Sequence, residues 1–291
     1  MARLVVFGLG YSGRAIALAA AASGAAVTVV TRDPGRAEAR ALAAAGLAVA
    51  GFDAPPLAGA THLVATAAPD AAGDPVLAAH RDAIVAARPA WIGYLSTTGV
   101  YGDRGGAWVD ETTEPAPGQP RSLRRRAAEA AWEAAAEEAG ATLDLIRLGG
   151  IYGPGRSAFD DLRAGTARCV VKPGHAFSRI HVDDIAGLVL AAAARPPARG
   201  VRVLHGVDDL PSPSAEVVAE AARLLGLAPP PEVPFEIARA CMSPMALSFW
   251  SENRRVANAL TKAATGWVPR FPTWREGLAA ILAEEASAQQ R

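Results

Sequence analysis

"VVFGLGYSGRAIA" (residues 5–17) sets Gly8, Gly10 and Gly13 in a G-x-G-x-x-G pattern, with an apolar run before it and an alanine-rich amphipathic stretch after it. The run over residues 3–7 reads as a strand and residues 12–23 as a helix. A glycine-rich turn in that context has a physical reading. The first glycine allows the tight turn, the second lets backbone approach a pyrophosphate, and the third lets helix and strand pack closely. The unpaired amides at the helix N-terminus then stabilise phosphate charge. Gly8, Gly10, Tyr11, Ser12 and Gly13 are therefore the expected cradle of a dinucleotide.

The end of the second strand selects which one. A carboxylate there would bind a ribose 2′-hydroxyl. The sequence instead runs "VTVVTRDPGR", with Thr31 and Arg32 at the critical place and Arg36 one turn on. A guanidinium matches a 2′-phosphate in charge and fork geometry, so NADP is expected over NAD. Asp33 comes late and reads as the cap of a helix over 34–45.

The rest of the chain extends this pattern. Further strands are expected at 26–30, 47–52, 61–66, 91–95, 142–148 and 201–205, with helices over 74–87 and 120–139. Strand–helix alternation implies an α/β fold, a doubly wound parallel sheet of Rossmann type. Beyond about residue 150 proline and glycine become frequent, and helical patterns at 183–195, 214–225 and 274–285 suggest a smaller, mostly helical C-terminal lobe. The expected division is a dinucleotide-binding core of residues 1–150, joined by 179–206, and a substrate lobe of 151–178 and 207–291. There Met242, Met245, Phe249, Trp250 and Trp267 are candidate pocket residues.

Composition narrows the function. The 291 residues carry no net charge and no long basic segment, which argues against nucleic-acid binding. No stretch of ~18 or more apolar residues lacks charge, so no membrane span is expected and a cytoplasmic location is. Cys169 and Cys241 have no metal-ligand spacing, and no histidines pair into a metal site.

Four further segments resemble the extended and atypical short-chain dehydrogenase/reductase superfamily, which includes sugar-nucleotide epimerases and dehydratases: "YLSTTGVYGD" (94–103), "WVDETTEPAP" (108–117), "LIRLGGIYGPGR" (145–156) and "RIHVDDIA" (179–186). The resemblance implies an NAD(P)-dependent oxidoreductase or epimerase acting on a small molecule, commonly as a homodimer. It places Thr97 at the catalytic Ser/Thr. Thr98 and Gly99 stand where 4,6-dehydratases carry an Asp-Glu pair, which counts against a dehydratase.

The family keeps a tyrosine and a lysine four residues apart on its active-site helix, with a glutamate four residues further. In "QPRSLRRRAAEAAWEAAAEEAG" (119–140), Glu129 fits the glutamate, which puts Arg125 at the lysine and Arg121 at the tyrosine. No tyrosine lies between Tyr101 and Tyr152. Arg125 can anchor a ribose. Arg121 stays protonated near neutral pH and cannot shuttle a proton, though it can bind an anion or steady an oxyanion. Four arginines at a helix N-terminus oppose the macrodipole and call for an anionic partner: a cofactor phosphate, a substrate carboxylate, or Glu111 and Glu114. Tyr101 is the candidate replacement proton donor, with Tyr152, Asp103, Glu111, His175 and His181 as weaker ones. A non-catalytic dinucleotide sensor is the alternative function.

Overall fold

A computed structural model describes residues 2–289. In chain order the strands are β1 (Arg3–Phe7), β2 (Ala26–Thr31), β3 (Ala48–Gly51), β4 (His62–Ala65), β5 (Trp91–Thr97), β6 (Trp108–Val109), β7 (Thr142–Leu148), β8 (Gly150–Tyr152), β9 (Cys169–Val171), β10 (Arg179–His181), β11 (Val201–Gly206), β12 (Glu232–Pro234) and β13 (Arg255–Val256). The helices are α1 (Tyr11–Ala22), α2 (Ala37–Ala44), α3 (Pro75–Ala87), α4 (Pro120–Ala139), α5 (Ala158–Arg163), α6 (Val182–Ala194), α7 (Ser214–Leu224), α8 (Phe235–Ala238), α9 (Pro244–Trp250), α10 (Ala259–Thr265) and α11 (Trp274–Gln289).

The seven strands expected from the sequence form one parallel sheet in the order β11-β7-β5-β4-β1-β2-β3. Its two faces follow from the two-residue period of a strand. In β1, Leu4 and Val6 join a core with α1 and α6, while Val5 and Phe7 join another with α3 and α4. That is why the strand reads as a continuous apolar run. The chain reverses direction between β3 and β4, so a switch point opens between the carboxyl ends of β1 and β4, where α/β sheets bind ligands.

Buried charge ties the layers together. Asp144 on β7 accepts Trp91 Nε1 at 2.8 Å and both Nε and Nη2 of Arg202 at 2.7 and 2.8 Å, joining β5, β7 and β11. On α4, fully buried Glu129 accepts Ser96 at 2.5 Å and a bidentate pair from Arg147 at 3.0 and 2.9 Å. Arg147 Nη1 continues to the Tyr101 hydroxyl at 2.8 Å.

The remaining elements gather over the carboxyl ends of β5, β7 and β11. A cluster of Tyr152, Phe159, Ala221, Trp274, Leu278 and Ile281 packs α5, α7 and α11 together. Short parallel pairs join β8 to β10, β9 to β12 and β6 to β13. Helix boundaries follow caps. Asp74 accepts two amides at the start of α3, and Gly140 closes α4 in the left-handed region. One expected cap is corrected. Helix α2 starts at Ala37, after Arg36, and Asp33 accepts the Gly35 amide in the turn before it instead.

Removing the Glu129 side chain leaves Arg147 buried and unpaired. Glu129→Ala is expected to cost about 3–5 kcal/mol in urea denaturation, against less than about 1 kcal/mol for Arg81→Ala, whose pair with Glu138 is exposed.

Candidate active site

The glycine turn is built by exclusion. Gly8 has φ +106, and a Cβ there would collide with the Thr66 hydroxyl; a Cβ on Gly13 would collide with the Gly8 carbonyl oxygen. Thr66, just beyond β4, donates to the carbonyls of Phe7 and Gly8 at 3.0 and 3.3 Å and so braces the turn from the neighbouring strand. A Cβ on Gly10 would meet nothing within 4 Å. Gly10 is also the N-cap of α1, which has no side-chain cap and no acidic residue in its first turn. Two glycines are thus demanded by the protein's own packing. The third faces open space in front of uncapped helix amides, an arrangement that fits a pyrophosphate.

Ser12 is buried behind the turn, and Tyr11 reaches across to the Pro154 carbonyl at 3.0 Å. At the end of β2, Thr31 is buried and Arg32 is exposed. Arg36 pairs with Glu38 at 2.9 Å in an exposed contact.

Helix α4 presents Arg121 and Arg125 on one side, as their four-residue spacing requires. Arg125 Nη1 lies 2.9 Å from the Tyr94 hydroxyl, 2.9 Å from the Leu95 carbonyl and 3.4 Å from the Ala67 carbonyl, holding the guanidinium at the carboxyl edge of β4 and β5. A guanidinium has five N–H donors, so this one can still donate to a ligand. Arg121 extends the other way, its Cζ 4.3 Å from the centre of the Phe249 ring. Arg124 is exposed, and Arg126 pairs with Glu129 and Glu133. The loop carboxylates do not serve these arginines. Glu111 accepts the Thr261 amide and hydroxyl, and no ion pair involves Glu114 among the described residues.

Thr97 stands at the end of β5 and accepts the Gly99 amide at 3.1 Å. It lines a cavity of about 100 Å³ shared with Arg121, Ser178, Phe249, Glu252 and Arg254. The cavity lies between the sheet's carboxyl edge and the C-terminal segment. Glu252 and Arg254 were not legible as site residues. The only sequence signal is the polar cluster "SENRR" (251–255) between an apolar helix and a strand.

Tyr101 does not belong to this site. It is fully buried, and its hydroxyl is 2.5 Å from His205 Nε2 as well as bonded to Arg147. His205 Nδ1 lies 2.6 Å from the Ala257 carbonyl, so it carries the ring proton, and Tyr101 donates to Nε2. Burial pushes the phenol up to about 12. Its role is to join β7 and β11 beneath the site. Tyr152 packs against Gly277 of α11. His181 caps α6 through the Asp183 amide, and burial pushes it down to about 4. His175, likewise pushed down to about 4 chiefly by burial, bonds the Glu252 carbonyl at 3.1 Å. Asp103 accepts the Asn253 amide. Among the aromatic candidates, Phe249 alone lines the cavity. Trp267 is buried against the α1–α6 face, and Trp250 stacks on Phe235.

No family model matches the chain. A functionally unknown conserved protein from Silicibacter pomeroyi DSS shares its structure at a TM-score of 0.88 and 44% identity, over 98% of this chain and 99% of that one. The human epimerase family protein SDR39U1, solved with NADPH, superposes at a TM-score of 0.73 with 22% identity, over 96% and 98% of the two chains, a likeness of fold. The chain belongs with that functionally unknown conserved protein, and it shares the fold of epimerase/dehydratase-like proteins. A curated relative, the 3-diazoavenalumate denitrifying reductase of a Streptomyces species, is 34% identical over 140 residues, 46% of this chain and 45% of that protein. The chain spans about half the length of the curated relatives it matches. Among the described residues, no helix is long and apolar enough to cross a membrane, and no cluster of three metal-ligating side chains occurs.

Sterics separate the glycines of this turn. Gly13→Ala is expected to lower stability by about 1–3 kcal/mol through overpacking, and Gly10→Ala by less than about 1 kcal/mol, as measured by chemical denaturation.

Proposed function

We propose that the protein is an NADP-dependent oxidoreductase or epimerase-like enzyme whose substrate is a small polar or anionic molecule bound between the sheet and the C-terminal segment. The observation that carries this reading is Gly10, open to solvent above uncapped α1 amides while Gly8 and Gly13 are sterically locked. The α1 amides would hold the pyrophosphate. Thr31, Arg32 and Arg36 would surround the adenosine ribose, with Arg32 free of any ion pair among the described residues and so suited to a 2′-phosphate. Arg125, fixed at the β4–β5 edge, would donate to the nicotinamide ribose. The related structure with NADPH supports the cofactor class.

When bound, the nicotinamide would supply or accept a hydride. The chain's own contribution is then positional and electrostatic. Thr97 would hydrogen-bond the reacting oxygen, and Arg121 would stabilise negative charge in the cavity. Carbonyl reduction also consumes a proton, which Arg121 cannot deliver. The proton would come from water, or the substrate would be one whose reduction needs none. The arginine in the place of a proton donor also favours the second reading, a dinucleotide-binding sensor without turnover.

NADPH fluorescence titration tests the cofactor assignment. The expected result is saturable binding that Gly10→Ala weakens at least tenfold. Arg32→Ala should weaken NADPH by roughly tenfold, in line with one charge-assisted contact, and leave NADH within about twofold. No binding near millimolar concentration would defeat both readings.

A substrate screen following NADPH consumption separates enzyme from sensor. Turnover that falls by ~10²-fold or more in Thr97→Ala identifies the enzyme. Cofactor binding without any turnover across the screen identifies the sensor.

A further inference from the structure

The cavity beside Thr97 carries a charge pattern that specifies its ligand more narrowly. Three of its lining residues are charged: Arg121, Glu252 and Arg254. Arg254 Nη1 is satisfied twice, by the Gly102 carbonyl at 2.7 Å and Glu252 Oε2 at 2.9 Å. The other carboxylate oxygen, Glu252 Oε1, is buried with no hydrogen-bond partner among the described residues, on a residue only 9% exposed. A buried carboxylate oxygen without a donor has lost its hydration without replacement, so a donor from a ligand would relieve a standing penalty. Arg121 has no ion pair among the described residues, and its guanidinium carbon lies 4.3 Å from the centre of the Phe249 ring at the cavity wall. Two guanidiniums and one carboxylate leave the lining one positive charge in excess.

We propose that this cavity recognises a small hydroxy-carboxylate, with Glu252 Oε1 accepting from the hydroxyl and Arg121 pairing with the carboxylate. A monoanion neutralises the lining. A hydroxyl suits Glu252 better than an ammonium, because an ammonium would add a second cation to a carboxylate already paired with Arg254, and a third to the lining. The cavity, about 100 Å³, has the space of a few waters at ~30 Å³ each, enough for a head group of two or three carbons. This rests on the reading of the cavity as the substrate pocket. It adds Glu252 as a specificity-determining residue on a different element from Thr97 and the arginine helix.

The test compares racemic lactate with propionate, which lacks the hydroxyl, and 2-propanol, which lacks the carboxylate. Binding is measured by ligand-observed NMR on the full chain, with and without NADPH. Wild-type protein is expected to bind lactate at least tenfold more tightly than either analogue. Glu252→Met should bring lactate and propionate within about twofold of each other. Arg121→Gln should do the same for lactate and 2-propanol while keeping the preference for lactate over propionate. Lactate binding no tighter than propionate in the wild type overturns the proposal without recourse to any variant, as does an unchanged lactate preference in folded Glu252→Met. NADPH binding is read separately by fluorescence. A protein that binds NADPH but shows no lactate preference defeats this inference alone, and one that ranks the three ligands as expected but binds no NADPH defeats the cofactor reading alone.

Discussion

The bidentate contact between Glu129 and Arg147 fixes the geometry on which the site depends. Both side chains are buried, one on α4 and the other on β7. Burying an ion pair gives little net stability over an apolar pair, but breaking one is costly. The contact therefore acts as a strict constraint on how α4 is rotated against the sheet. With Glu129 pinned, Arg125 one turn earlier must reach the edge of β4 and β5, and Arg121 a further turn back must reach the cavity. The same pair extends through Ser96 to β5 and through Tyr101 and His205 to β11. The floor of the site is a hydrogen-bonded network, and its roof is the helix that network orients.

The glycine turn works by a different constraint, steric rather than electrostatic. Gly8 and Gly13 are held close because α1 approaches β1 until no Cβ fits between them, and Thr66 closes the gap from β4. Only Gly10 is left without an internal reason for being glycine. A position whose smallness serves nothing within the protein points outward to a ligand, and it lies at the switch point where the strand order reverses. The cavity with Thr97 lies further along the same edge, at the ends of β5 and β7. The two regions are thus adjacent along the carboxyl edge of one sheet, as the proposed cofactor and substrate sites require.

The arginine-headed helix gains a physical explanation from this arrangement. Positive charge at a helix N-terminus is unfavourable, and the four arginines find different remedies. Arg126 has carboxylates on its own helix. Arg124 is left to solvent. Arg125 is held by two backbone carbonyls and a phenol, and Arg121 by an aromatic face. Neither of the last two is neutralised by its protein contacts, so each keeps charge available for an anion.

The sequence by itself determined the sheet. Each strand buried on both faces must be a continuous apolar run, and Gly8 and Gly13 are forced by contacts with each other and with the adjacent strand. The pairing of Arg121 with Arg125 on one helical face followed from spacing alone. The tertiary structure decided what depends on distant segments meeting. Tyr101 read as a site residue because its loop ends at the carboxyl edge, yet contacts from Arg147 and His205, 46 and 104 residues away, draw its hydroxyl into the core. Glu252 and Arg254 show the converse. Nothing in "SENRR" marks a site, because its relation to Thr97 exists only once β13 pairs with β6 and carries that segment over the end of the sheet. Periodicity and glycine sterics are local and survive in one dimension. The partner of a buried charge is set by the folded path of the whole chain.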